Sequence, residues 1–96
     1  MEFDYVYANQ RIDHITYTYE KMVNLYEELT KASPPSKEDM AIFREMYTSV
    51  MTSISEYYSY LNKIGITPKE SYLTKWLEGG PYYLYHDALY AFCCPV

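Results

Sequence analysis

The sequence predicts an all-α fold: an antiparallel hairpin of two long helices closed by two short C-terminal helices, a small helical bundle occupying 1–96 as one domain. Three observations carry this expectation. Two apolar stripes repeat at helical spacing, a Pro-Pro pair separates them, and Gly or Pro stands at each later boundary.

The first stripe is Tyr5, Ala8, Ile12, Ile15, Tyr19, Met22, Tyr26 and Leu29, spaced 3,4,3,4,3,4,3. Such a period, held for more than three heptads, specifies one helix over about 3–32. Ile15-Thr16-Tyr17-Thr18-Tyr19 also alternates like a strand, but the longer period decides for helix. Ser33-Pro34-Pro35-Ser36 ends it, because tandem prolines cannot sit in a helix interior. Ser36 followed by Asp39 approximates a capping box for a second helix over 37–64. Its stripe is Met40, Phe43, Tyr47, Val50, Ile54, Tyr57, Leu61 and Ile64, with Gly65 as the left-handed terminator. Met46, Met51, Tyr58 and Tyr60 widen the apolar face, so this helix is expected to touch more than one neighbour. Thr67-Pro68-Lys69-Glu70 reads as N-cap, first helical position and capping box of a third helix, with Tyr72, Leu73, Trp76 and Leu77 inward. Gly79-Gly80 ends that helix. Pro81 is expected to open a last helix of about three turns, with Leu84, Ala88 and Phe92 inward and a frayed end at Cys93-Cys94-Pro95-Val96.

A chain of 96 residues with 49% apolar content has enough material for one core. Its net charge is −5, from 13 acids against 8 dispersed bases. Nucleic-acid binding draws most of its affinity from phosphate neutralisation, so direct DNA or RNA contact is disfavoured. An acidic surface favours basic partners instead. The opening MEFDYVYANQ lacks a leader pattern, and no apolar run reaches the roughly 20 residues of a membrane span. A cytoplasmic protein is expected, in the host cytoplasm if virus-encoded, with no membrane partner.

Candidate chemistry is sparse. His14, His86, Asp87, Cys93 and Cys94 are the residues a metal would use, but His86 and Cys93 lie about 10 Å apart on a helix, too far for one zinc. Cys93 or Cys94 with His86-Asp87 contains the residue types of a nucleophilic site at the very end of the chain. Pre-organisation is hard to maintain there, so one cysteine packed as a small hydrophobe is the preferred reading, and adjacent cysteines can also oxidise to a vicinal or intermolecular disulfide. Glu27-Glu28 and Glu38-Asp39 are surface pairs near helix ends, the second favourable to the macrodipole. Gly79-Gly80 precedes Pro81 and lacks the flanking strand of a phosphate loop. Tyr26-Glu27-Glu28-Leu29 and Tyr58-Ser59-Tyr60-Leu61 fit a Tyr-x-x-Leu pattern common by chance in tyrosine-rich sequence. No catalytic residue, cofactor or metal is expected, and the chain is read as not an enzyme.

What remains is the surface. Fourteen tyrosines are several times ordinary usage. Four Tyr-x-Tyr pairs, at 5/7, 17/19, 58/60 and 83/85, each send at least one ring away from the seam when helical. Asp13, Glu20 and Glu27 recur every seven residues beside the seam of helix 1, with Tyr17 next to them. This stripe is either a solvated helix face or a docking face. The partner-binding candidates are Asp13, Tyr17, Glu20, Glu27, Tyr58, Tyr60, Tyr82, Tyr83 and Tyr85, since tyrosine is favoured at binding hot spots. The leading expectation is a protein-binding module that covers a basic or nucleic-acid-binding surface of a larger protein. In size, acidity and lack of catalytic motifs the chain is similar in type to small phage and virus inhibitors, anti-CRISPR proteins among them, with no shared residues claimed. A homodimeric bundle using Met46, Met51 and Tyr58 is the alternative. A small DNA-binding regulator is weaker still, since a recognition helix within Ile66–Trp76 sets Lys69 and Lys75 against Glu70 and Glu78.

Overall fold

The computed structural model describes residues 3–31 and 34–93. Helix α1 spans Tyr5–Lys31 and α2 spans Lys37–Lys63. They pack against each other. The helices α3 (Tyr72–Gly79) and α4 (His86–Cys93) follow, preceded by short 3-10 turns at Pro68–Glu70 and Tyr83–Tyr85. The two 27-residue helices, about 40 Å each at 1.5 Å per residue, set the molecule's 50 Å long axis. No strand occurs among the described residues.

The predicted stripes become the core. Ala8, Ile15, Tyr19 and Met22 of α1 face Phe43, Val50, Tyr57 and Leu61 of α2, all buried. Two clusters form, one around Phe43 and Val50 and the other around Tyr57 and Leu61. Ile54 and Leu77 pack against both, so the apolar interior is continuous. As expected from its breadth, α2 contacts α1, the Pro68–Glu70 turn and α4. The strand-like Thr16 and Thr18 are helical, and their hydroxyls donate to the Ile12 and His14 carbonyls at 2.9 and 2.8 Å.

Helix ends follow from local chemistry. Asp4 caps α1: its Oδ1 accepts the Tyr7 N–H at 3.0 Å, and its own N–H donates to the Tyr60 hydroxyl at 2.9 Å. Ser36 accepts the Asp39 N–H at 3.1 Å, as its spacing predicted. Gly65, at φ 81°, completes a Schellman end to α2. The Ile66 N–H reaches the Leu61 carbonyl at 2.9 Å and the Gly65 N–H reaches Asn62 at 3.2 Å.

Three expectations are corrected. Thr67 makes no side-chain cap, and Pro68–Glu70 is a 3-10 turn rather than the start of α3. The cap is Ser71, whose Oγ accepts the Thr74 N–H at 3.2 Å and donates to the Pro68 carbonyl at 2.8 Å. Ser71 and Thr74 are buried while Thr67 is exposed, so the better-shielded hydroxyl fixes the helix start. Ser71→Ala is therefore expected to cost about 1–2 kcal/mol, with Thr67→Ala within about 0.5 kcal/mol, by urea denaturation. Second, Tyr5 and Tyr72 were expected inward but are 72% and 64% exposed. Phe3 and Tyr7, on either side of Tyr5, pack against the Tyr57 and Leu61 cluster and leave Tyr5 outward, and the later start of α3 turns Tyr72 out. Third, Pro81 does not open a continuous helix: α4 begins at His86 and has eight residues. Leu84 is 86% exposed, whereas Leu89 and Cys93 are buried. Tyr82, Tyr85, Leu89 and Phe92 are shielded positions of this segment, so Leu84 falls between them and faces out, and Gly80 sits so close to α3 that a Cβ there would lie 2.1 Å from the Trp76 carbonyl oxygen. Cys94, and with it the question of a vicinal disulfide, lies outside the described residues.

Candidate functional site

The tyrosine pairs divide as helix geometry requires. Tyr17 is exposed while Tyr19 is 2% exposed, and Tyr5 and Tyr83 are exposed while Tyr7 and Tyr85 are half-buried. The 58/60 pair is half-buried at both members, because α2 has neighbours on both flanks. Tyr58 Oη meets Thr74 Oγ1 of α3 at 2.7 Å. Thr74 donates to the Pro68 carbonyl at 2.6 Å, so Tyr58 is the donor to Thr74. Tyr60 stacks on Tyr57, lies against Tyr7, and accepts from the Asp4 backbone. Tyr58 and Tyr60 thus tie α2 to α3 and to the start of α1.

The acidic stripe of α1 also binds within the chain. The Tyr82 hydroxyl donates to Glu20 Oε1 at 3.1 Å, and the Tyr85 hydroxyl donates to Glu27 Oε1. The seven-residue recurrence of acids therefore places two acceptors opposite two tyrosines on the far side of Gly80. Tyr82 stacks edge-on against Trp76, and Trp76 against Tyr19. Asp13 remains exposed, as does Tyr17 with Lys21 Nζ 4.7 Å from its ring centre. The nine candidates are thus split: Tyr58, Tyr60, Tyr82, Tyr85, Glu20 and Glu27 make contacts within the chain, Glu20 while still exposed, and Asp13, Tyr17 and Tyr83 face solvent.

These contacts perturb the phenols. Burial pushes Tyr19 and Tyr57 above the ordinary value of 10.0, with neighbouring phenols adding to the effect. Tyr82 is raised by desolvation and then by its bond to Glu20. Tyr85 is raised first by its bond to Glu27 and by that carboxylate's charge. A group whose folded pKa is raised contributes stability that is complete below its unfolded pKa and is lost as pH rises through the folded value. Stability is therefore expected to hold up to about pH 10 and fall above it. Absorbance at 295 nm, titrated alongside circular dichroism, should show a class of tyrosines ionising late and together with unfolding. Simultaneous titration of all phenols in a still-folded chain would contradict these contacts.

Two of the surface grooves border α3. One, of about 590 Å³, runs between the start of α1 and α3 and is lined by Tyr5, Asn9, Asp13, Ser71 and Tyr72 among others. The other, of about 560 Å³, lies between α2 and the C-terminal third, with Met51, Ile54 and Leu77 in it and Glu78, Leu84 and Asp87 around it. Glu78 and Asp87, which the sequence offers only as part of a recognition helix and of a metal or nucleophilic set, meet here beside Leu84, and Tyr5 and Tyr72 line the other groove. The apolar spacing predicts Tyr5, Tyr72 and Leu84 inward, and the two acids carry no periodic pattern by themselves. His86 Nδ1 lies 3.8 Å from Asp87 Oδ1, both exposed. Cys93 is buried at the end of α4, its carbonyl accepting from Arg44 Nε at 3.2 Å. Among the described residues no group of three or more His, Cys, Asp or Glu is placed to hold a metal ion. No helix among them is long and apolar enough to cross a membrane.

No family model, curated protein or solved structure matches this chain.

Proposed function

We propose that this chain is a non-enzymatic protein-binding module, a small acidic, tyrosine-rich helical protein that docks on a larger partner and covers a basic surface there. The observation that carries this reading is apolar and aromatic exposure on an acidic body. Tyr5, Tyr17, Tyr72, Tyr83, Leu84 and Tyr90 are each more than half exposed, on a chain of net charge −5. Rings of limited flexibility give large contact area at low entropic cost, and the negative field steers encounter with a positive surface. Where that surface binds nucleic acid, the module acts as an inhibitor, as phage and virus proteins of the anti-CRISPR type do.

A homodimer is the second reading. Ile42, 54% exposed beside half-buried Met46 on α2, supports it. Met51 and Tyr58 do not add to it, since one lines the groove under the C-terminal third and the other is bonded to α3.

The two readings separate on purification of the tagged chain from the cells that express it, with light scattering and mass spectrometry of the eluate. A larger basic protein at fixed stoichiometry is expected. A clean homodimer with nothing attached would overturn the first reading in favour of the second.

A further inference from the structure

Building on the reading of the chain as a binding module, we infer that the groove between α2 and the C-terminal third seats the partner, and that its occupant is a lysine- or arginine-rich amphipathic segment.

Shape comes first. At about 560 Å³ the groove is large enough for several side chains. Half-buried Met51, Ile54 and Leu77 supply an apolar interior, and methionine adapts to differently shaped apolar side chains. Leu84 stands at the edge, 86% exposed, the most exposed of the large apolar side chains described. Its neighbours Tyr82 and Tyr85 are bonded to α1. The turn that holds Leu84 out is therefore anchored on both sides, and Leu84 is presented to solvent by a fixed backbone.

Charge selects the occupant. Glu78, on the last turn of α3, and Asp87, on the first turn of α4, are exposed and line the groove, and no lysine or arginine does. The remaining titratable side chains there are His86, beside Asp87, and the phenols of Tyr19, Tyr58 and Tyr83. An apolar interior between two carboxylates matches a helix that carries aliphatic residues at i, i+3, i+4 and basic residues beside them. The groove at Tyr5 and Tyr72 is equally apolar, with Phe3, Ile12, Leu61 and Ile66 in its lining, but it offers a single carboxylate, Asp13, so in charge it is the weaker match for such a segment.

The test uses the full chain with an amidated Leu/Lys peptide of about fourteen residues at helical period, and a Leu/Glu peptide of the same pattern. Binding is followed by fluorescence anisotropy and by amide shift mapping. The Leu/Lys peptide is expected to shift Met51, Ile54, Leu77 and Leu84. E78Q with D87N should weaken it about tenfold together, and L84A by a similar factor. Circular dichroism checks that these exposed substitutions leave the fold intact. No binding, equal binding of the Leu/Glu peptide, shifts centred on Tyr5 and Tyr72, or undiminished affinity in the variants would each overturn the assignment. The same variants separate this inference from the reading beneath it. If the co-purified partner stays bound to the E78Q/D87N/L84A chain, the groove is wrong and the binding module stands. If no partner co-purifies at all, the module reading itself has failed.

Discussion

Phe43→Ala will lower the free energy of unfolding by about 3–5 kcal/mol, measured by urea denaturation monitored at 222 nm. Phe43 is completely buried, and its ring joins three elements. It lies edge-on to Phe92 of α4 at 4.9 Å between ring centres, and against Tyr26 of α1 and Tyr47 of α2 at 6.5 and 6.3 Å. Truncation therefore removes transfer energy, leaves a cavity and deletes aromatic pairs worth about 0.5–1.5 kcal/mol each in favourable geometry. A domain of this size has roughly 5–14 kcal/mol in total, so the loss is a large fraction of it. Tyr47→Ala, at a half-buried position of the same helix, is expected to cost clearly less. Equal losses for the two would mean that α2 is not oriented with Phe43 at its centre.

How much of this was legible beforehand depends on how each residue signals. The two seams were readable because branched, aromatic and sulfur-containing residues at 3,4 spacing have few alternatives to a helix–helix interface. Ser36 and Gly65 were readable because capping and left-handed termination act over four or five residues. Thr67 misled for the opposite reason. Thr67-Pro68 and Ser71-x-x-Thr74 both offer a helix start, and burial, which no local pattern reports, decides between them. The last element shows where classifying tyrosine fails. Tyr82, Tyr85, Leu89 and Phe92 repeat at 3,4,3, the same rhythm as the two long helices. Treating the tyrosines as surface residues shifted the inward stripe to Leu84, Ala88 and Phe92. The acidic stripe on α1 was legible only in part. Its seven-residue period was visible, but Glu20 and Glu27 meet hydroxyls 62 and 58 residues away, and only the folded chain brings those together. Of the candidate site, what the sequence could carry was the composition: more tyrosine than one seam can bury, on an acidic chain.

That difference in phase yields the second large effect. Leu89→Ala will destabilise the protein by about 2–5 kcal/mol, whereas Leu84→Ala will change stability by no more than about 0.5 kcal/mol. Leu89 is completely buried within the same cluster as Phe43 and Val50. It is the aliphatic residue through which α4 enters the core, beside Cys93 and half-buried Phe92. The hydrogen bonds from Tyr82 and Tyr85 to α1 position the preceding turn, but each replaces a bond that water could make, so their net contribution is modest. Burial at Leu89 therefore decides whether the C-terminal third stays docked. Hydrogen exchange resolves the consequence by residue: in Leu89→Ala the amides of α4 should lose protection before those of α1 and α2, since local opening follows loss of buried contact. The opposite ranking, with Leu84 costly and Leu89 tolerant, would place Leu84, Ala88 and Phe92 on the inward face. It would also close the groove at whose edge Leu84 stands, so the stability pair tests the ground on which the docking assignment rests.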